Sequence, residues 1–533
     1  MGKLIPNAFN LAVVIYVALG STACSYGMAI IGSTIGQPSF YASLGLAQAG
    51  EDGYSRTAEY IGAFNGVNAA GSAIGCAGCS YFADRYSRKK TIQWSAIILS
   101  IGAGICAGSV NNAMFIVGRL INGFGIGALV TAIPMYQAEV STPESRGFMV
   151  SMHGVMFAMG YSLSGWLGFG VSFISTSGST SSFPWRFPIA FQAIPALLLL
   201  AGSPWLPYSP RWLMMHDRFD EAHEVIKRLH RTKGDPHDSL ARKEFYQMKK
   251  QVELDRQINA TTSKFEIVKT PANRRRALVG FLLMWNNQFT GVLIIANYGI
   301  LLYISLGMTG YMPLLLTSLW VTSTIPGNIF CAFYIERFGR RRFMLIGLTG
   351  ILITLICEIA LQASFLGTDN RAGQNAAIFF IFLFITPFWS TFMDASQFLY
   401  LSEIFPTHIR SQGMGIGMAG LYLADIILLV AGPIALDKIG WKFFLVLIIP
   451  TALHILFVYF MCPETKGRSL EDINAQFGEQ VAIHYYNATA EEQAELEKAA
   501  MQDEEAERRG IVGNTLDEKN GGVEQQEIAN KAA

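Results

Sequence analysis

Carboxylates and amides set inside long apolar runs are the side chains of this 533-residue chain with the most chemistry to offer. Asp394 and Asp425 each stand in a stretch apolar enough to cross a bilayer, where charge is rare and usually functional. A carboxyl so placed can pair with a histidine or hydroxyl across a cavity, or it can take up and release a proton. Asn287 and Gln288 follow an apolar run that begins near Arg276, which puts them about 17 Å along a helix rising 1.5 Å per residue, close to mid-membrane. Two amides at that depth either bridge helices or face a polar cavity, and a bound hydroxylated molecule would need such partners because a desolvated hydroxyl is costly unless paired. His153 is a further titratable group in an apolar run, able to bind, to titrate or to pack.

A second set of charges stands at the ends of apolar runs. Glu139 and Arg146 lie seven residues apart, two helical turns, beyond a glycine-rich stretch in which Gly123, Gly125 and Gly127 would let a neighbouring helix come close. Tyr136, Glu139 and Arg146 recur as Tyr400, Glu403 and Arg410, each 264 positions later. A basic loop precedes each copy: Asp84-Arg85-Tyr86-Ser87-Arg88-Lys89-Lys90, then Glu336-Arg337-Phe338-Gly339-Arg340-Arg341-Arg342. Ordered pairs at long offsets indicate an internal duplication, two like halves. The spacing predicts a gate at one membrane edge, built from Asp84, Arg85, Arg88, Glu139, Arg146, Arg340, Glu403 and Arg410, whose ion pairs break and reform as the halves rock.

The elements that must carry these groups are transmembrane helices. The composition is 51% hydrophobic and only 15% charged, against roughly a quarter charged in soluble chains. A bilayer span needs about 20 apolar residues, and that ruler predicts an all-α membrane protein with twelve spans near 9–31, 58–83, 91–110, 113–139, 147–172, 187–207, 276–306, 310–335, 343–366, 375–402, 413–435 and 441–462. Lys and Arg crowd 84–90, 211–276 and 336–342, so the positive-inside rule puts those loops and both termini in the cytosol. The expected organisation is an N-terminal six-helix bundle (1–210), a cytosolic linker with short amphipathic helices at 219–230 and 243–254 (211–275), a C-terminal bundle (276–462) and a hydrophilic tail (463–533). From Glu491 onward the tail has twelve acids against five bases, a composition that favours disorder. The run after Lys3 reads as the first span rather than a cleaved leader. Cys76-x-x-Cys79, inside a helix, reads as packing rather than a redox or metal pair. The sequons at Asn259 and Asn487 fall on the cytosolic side. No zinc spacing, nucleophile elbow or phosphate loop is present, so neither an enzyme nor a cofactor or metal protein is indicated, and the GFGIG run lacks the strand a dinucleotide site requires. Nothing points to nucleic acid.

With these pieces in place the chain resembles the sugar porters of the major facilitator superfamily over roughly residues 10–475. The resemblance rests on both basic loops, GR…PMYQAEVSTPESRG, PYSPRWL at 207–213, NQFTG at 287–291, YLSEIFPTHIR at 400–410 and PETKGRSLEDI at 463–473. The surroundings of Trp212 and the GY…GW run at 160–166 look most like the fungal branch. What it implies is two six-helix bundles around a central cavity, alternating access, and a sugar or related polyhydroxylated substrate carried by a single chain, with or without proton coupling, in the plasma membrane. It also carries over contact positions. The family's Gln-Gln pair becomes Asn287-Gln288, its helix 8 asparagine Thr324, its helix 11 amide-Trp pair Leu421-Tyr422 and its tyrosine pair Asn297-Tyr298, while its helix 5 glutamine becomes Gly154, beside His153, and the asparagine after Phe-Thr-Gly becomes Leu293. The helix 1 aspartate of proton-linked members becomes Gly27, which leaves Asp394 and Asp425 as the candidates for proton coupling. Asn287, Gln288, Thr324, Asp394, Tyr422 and His153 are therefore the expected substrate contacts. With so many amides lost, a carrier or exporter of a non-sugar metabolite is the alternative, and a non-transporting nutrient sensor with a signalling tail is a second.

Overall fold

The computed structural model describes residues 7–48, 51–142, 145–175, 181–231, 241–242, 244–250, 252–253, 266–365, 368, 370–406, 409–466, 473 and 476–477. The sequons at Asn259 and Asn487 and the tail beyond Phe477 lie outside the described residues, as do Lys243 and Leu254, the expected ends of the second linker helix.

Apolar composition over bilayer length makes the helices, and polar or glycine breaks separate them. In chain order they are α1 (Ala8–Ile35), α2 (Tyr54–Tyr86), α3 (Arg88–Ala107), α4 (Asn112–Val140), α5 (Arg146–Ser175), α6 (Phe183–Trp205), α7 (Pro271–Ser305), α8 (Met312–Phe338), α9 (Arg340–Phe365), α10 (Arg371–Glu403), α11 (Arg410–Ile439) and α12 (Gly440–Met461). Eleven are apolar enough to span on composition alone; α2 is the exception, because it carries Asn65, Asn68 and Ser72 among small residues. Those residues face protein. A Cβ on Gly123 or Gly127 of α4 would fall on the backbone carbonyls of Asn68 and Ser72, and one on Gly71 or Gly75 of α2 on the backbone of Leu120 and Phe124. The two helices thus approach backbone to backbone through reciprocal glycines, the small-residue packing that lipid-embedded helices use, and Asn68 Nδ2 donates to the Arg119 carbonyl at 3.0 Å.

The outer faces are apolar and open: Phe460 is 72% and Ile449 67% exposed, a girdle that only a bilayer would cover. This is a multi-pass membrane protein. The first six helices meet the second six where α2 packs on α11, α5 on α8 and α10, and α1 on the second part of α7.

Besides α6, which breaks at Gln192, three spans are interrupted near mid-length. Helix α7 breaks at Phe289–Gly291, with Gly291 at φ 94°. Helix α8 turns at Ser323. In α10 the stretch Phe384–Met393, around Pro387, is π-helical, a form that recurs at functional sites, and it ends at Asp394. Interrupted helices at membrane depth are tolerated where they line a cavity.

Between α6 and α7 the short helices Pro210–Met215 and Phe219–His230 lie against the end that carries the basic loops. The second coincides with the expected amphipathic helix. Its apolar face joins Trp212, Leu213, Met214 and Met248 in a small separate core, and Trp212 Nε1 donates to the Asp84 carbonyl at 3.0 Å.

Candidate functional site

The helix interruptions converge on a cavity between the two sets of six helices, lined from α1, α5, α7, α8, α10 and α11. Its volume, counted by water centres, is about 80 Å³, room for roughly five to eight waters at 10–15 Å³ each. Gln288, Thr324, Asp394 and Asp425 reach its wall. Asn287, His153 and Tyr422 do not: each is buried behind it.

Each of the residues behind the wall has its own packing. Asn287 Nδ2 donates to Gln397 Oε1, tying α7 to α10. His153 bonds through Nδ1 to Ser21 Oγ at 2.7 Å, and its ring meets Phe398 edge-on at 4.9 Å. The pairing of Asp394 with His153, one of the options open from sequence, is therefore not what forms; the Asp394 carboxylate accepts instead from Asn328 Nδ2 at 2.8 Å. Tyr422 is fully buried with no partner for its hydroxyl among the described residues.

Tyr161 and Trp389 of the wall were not anticipated, nor were two amides of the site, Asn328 and Gln397. They sit one turn from expected residues on the same helix face, Asn328 four after Thr324 and Gln397 three after Asp394, and that spacing was the available signal. Gly154 explains a departure from the family pattern. A Cβ there would come within 2.6 Å of Asn328 Oδ1 and of Ala395, so α5 closes directly onto the Asn328–Asp394 pair where a glutamine would otherwise project. Gly27 shows the same logic: a Cβ would stand 2.8 Å from Gln192 Oε1. Its carbonyl accepts from Arg119 Nη1 at 3.1 Å, and Arg119 also donates to the Phe64 carbonyl and to Asn65 Oδ1, each at 3.3 Å. Backbone oxygens and an amide thus take the place of a carboxylate around this guanidinium. From Asn65 the network crosses between the halves, Nδ2 donating to Tyr298 Oη at 3.1 Å and Tyr298 to the Leu429 carbonyl at 2.7 Å.

At the opposite end the duplicated charges form two clusters. Arg88 holds Glu139 at 3.0 Å and Asp84 at 3.2 Å, and Ser209 donates to the other Glu139 oxygen. Arg340 holds Glu403 at 2.8 Å and Glu336 at 2.7 Å, and Thr465 donates to Glu403 at 2.7 Å. The clusters are bridged. Arg410 Nη1 stands 4.0 Å from Glu139, the Gly147 N–H donates to Glu336 at 2.9 Å, and Ser411 donates to Asp84. Arg146 lies within electrostatic reach of Glu403. Arg85 stays outside the cluster, exposed, with its guanidinium 5.7 Å from the Tyr86 ring centre; it stands near the end of α2, whereas Arg88 begins α3 beyond the break at Ser87. Glu336, Ser209, Ser411 and Thr465 are additions, of which Glu336 was legible as the counterpart of Asp84, 252 positions on, the offset that also separates Arg88 from Arg340.

Comparison with known proteins accords with this geometry. The model of the family described as "Sugar (and other) transporter" matches residues 13–477. The chain is 31% identical to the MFS-type transporter criB of Aspergillus cristatus over 80% of this chain and 86% of that one. It is 30% identical to the sugar transporter STL1 of Saccharomyces cerevisiae over 76% and 70%. Among solved structures, the proton:xylose symporter XylE bound to 6-bromo-6-deoxy-D-glucose superposes with a TM-score of 0.75 at 21% identity, covering 89% of this chain and all of that one.

Proposed function

The chain belongs to the sugar (and other) transporter family, a family of carriers rather than enzymes, and on that premise we propose that it moves a polyhydroxylated small molecule across the plasma membrane by alternating access, as a single chain. The observation that carries this reading is a cavity at the junction of the two sets of six helices, with amide and carboxyl groups on its wall and a duplicated, bridged set of ion pairs closing one end. The basic loops, the linker helices and both termini face the cytosol, and residues 1–210 and 276–462 work as two rocking bundles joined by 211–275, with 463–533 as a hydrophilic tail.

In this reading Gln288 and Thr324 bind substrate hydroxyls, and Asn287 and Tyr422 hold the helices that present them. His153 fixes α5 against α1 and α10. Asp394 carries the coupling proton. Asn328 gives its carboxylate one partner, and the substrate or a proton answers the rest. The gate opens to the cytosol when Arg410 leaves Glu139 and Gly147 leaves Glu336.

The test is uptake of labelled hexoses and polyols by cells lacking their own carriers, at acid and neutral external pH, for the wild type and Asp394→Asn. Saturable uptake that acid stimulates, and that loses this stimulation in the variant, is expected. Absence of uptake of every sugar and polyol by protein present at the cell surface would overturn the reading, and uptake indifferent to pH and to the substitution would remove Asp394 from coupling.

A further inference from the structure

The cavity wall holds acids without a base. Asp394 and Asp425 both reach it, and among the described residues no Lys, Arg or His lines it. Asp394 is met by Asn328. Asp425 is not met: it is 1% exposed, its Oδ1 has no hydrogen-bond partner and it forms no ion pair among the described residues. The ionisable groups nearest it are Tyr161 of α5, Tyr422 of its own helix and Cys76 of α2, with Asp394 across the cavity. None of these can neutralise a carboxylate. An ionised Asp425 without a counter-charge would be among the costliest features a membrane protein can keep, so its charged form calls for a cation.

The capacity for neutral hydroxyls is small by comparison. Thr324 already donates to the Val321 carbonyl at 2.6 Å. Gln397 has its Oε1 engaged by Asn287 and its Nε2 by the Asp394 carbonyl. That leaves whole the Gln288 amide, the Tyr161 hydroxyl and the Trp389 indole, with one N–H of Gln397 and the Thr324 oxygen as an acceptor beside them. The remaining wall is apolar, with the rings of Phe157, Trp320 and Phe398 beside Tyr161 and Trp389 among aliphatic side chains. Ring faces attract ammonium groups, most strongly where water is excluded. An unpaired carboxylate among aromatic rings, with few spare hydrogen-bonding groups, is a site for a cation.

We propose that the preferred substrate carries a basic amine beside its hydroxyls, and that the ammonium pairs with Asp425 while the rings of the cavity enclose it. The proposal rests on the carrier reading above and narrows its substrate class to amino-polyols.

The full-length chain reconstituted in liposomes would be given three labelled probes of one ring size: glucose, glucosamine and N-acetylglucosamine, at a pH where the free amine is protonated. Expected is uptake of glucosamine at least roughly tenfold faster than of glucose, the advantage of a hydrogen bond to a charged group, with the neutral acetylated amine showing no such advantage. Asp425→Asn should bring the glucosamine-to-glucose ratio towards one, and Asp425→Glu should keep it. Equal or faster uptake of glucose by the wild type would overturn the amine proposal and leave the polyol carrier standing. Uptake of none of the three would sink both. A ratio unchanged in a folded Asp425→Asn protein would overturn the assignment to Asp425, and the wild-type ratio decides the matter if that variant does not fold.

Discussion

Arg410 of α11 stands 4.0 Å from Glu139 of α4, so an ion pair joins the second six helices directly to the first at the end closed by the basic loops. Arg88, from the same half as Glu139, holds the same carboxylate oxygen at 3.0 Å. Intra-half and inter-half bonds therefore share an acceptor. Rocking need not leave Glu139 bare, because Arg88 stays when Arg410 departs.

Arg410→Leu tests that division of labour. The fold should survive, and the closed end should open more readily. Loss of about 1–2 kcal/mol from one buried charge pair shifts such an equilibrium roughly tenfold. Buried Cys79, on α2 within reach of Asp84, reports the opening: its alkylation, followed by mass spectrometry, should accelerate by that factor. An unchanged rate would mean that the pair does not hold the gate.

Arg340 is a different case, since it holds two carboxylates of its own half, Glu336 and Glu403, as Arg88 holds Asp84 and Glu139. Arg340→Leu strands both, and breaking a buried pair from one side costs about 3–5 kcal/mol. Thermal unfolding in detergent should show a severe loss. Adding Glu336→Gln to the variant should recover part of it, because one of the stranded charges is then gone.

The two basic loops turn in the same unusual way. Ser87 has φ 102° and ψ 153°, and its counterpart Gly339 has φ 90° and ψ 156°. That region suits glycine alone, and holding another residue there costs about 1–3 kcal/mol. Ser87 recovers some of this by capping α3, its Oγ accepting from the Lys90 N–H at 3.2 Å, but replacing a cap by glycine costs only about a few tenths of a kcal/mol. Ser87→Gly should stabilise the protein by about 1 kcal/mol, read as a raised midpoint of thermal unfolding.

How much of this was legible in the sequence follows from helix geometry. Span lengths, the duplication and the gate charges depend on composition and offset, which a sequence displays directly. The cavity wall depends on helix phase. Consecutive residues point about 100° apart, so neighbours in sequence can part company, and of Asn287 and Gln288 only Gln288 lines the cavity. Leu421 likewise lines the wall while Tyr422 is turned into the bundle. Residue pairs carried over from a family pattern hide this divergence. Spacings of three and four, as from Asp394 to Gln397 and from Thr324 to Asn328, preserve the face and identify the partners that pairwise reading passed over. Interruptions such as the π-helical stretch of α10 reset the phase, and no run of apolar residues announces one.

His230 ties the linker to α4 and brings in a pH dependence outside the membrane. Its Nε2 bonds to the Val140 carbonyl at 3.1 Å, and its Nδ1 contacts the Glu244 carboxylate. Burial disfavours the imidazolium, but the Glu244 charge and these hydrogen bonds outweigh it, and the pKa is raised above its ordinary value. A group whose folded pKa is raised lends full stability below its unfolded pKa, about 6.5, and that contribution is lost as pH climbs through the folded value. The helix Phe219–His230 should therefore loosen as pH rises above about 6.5. Hydrogen exchange there, corrected for its intrinsic pH dependence, should rise in the wild type and be flat in His230→Ala. A flat wild-type profile would contradict the pairing.

Counterflow tests alternating access most directly. Liposomes containing the reconstituted chain would be loaded with unlabelled substrate and diluted into a trace of the labelled compound. A carrier that exposes one cavity to each side in turn should give a transient overshoot of label, at least roughly tenfold smaller in Gln288→Ala, which removes the free amide from the cavity wall. Label that enters only to equilibrium, without overshoot and at the same rate in the variant, would contradict both the alternating mechanism and the placement of the site.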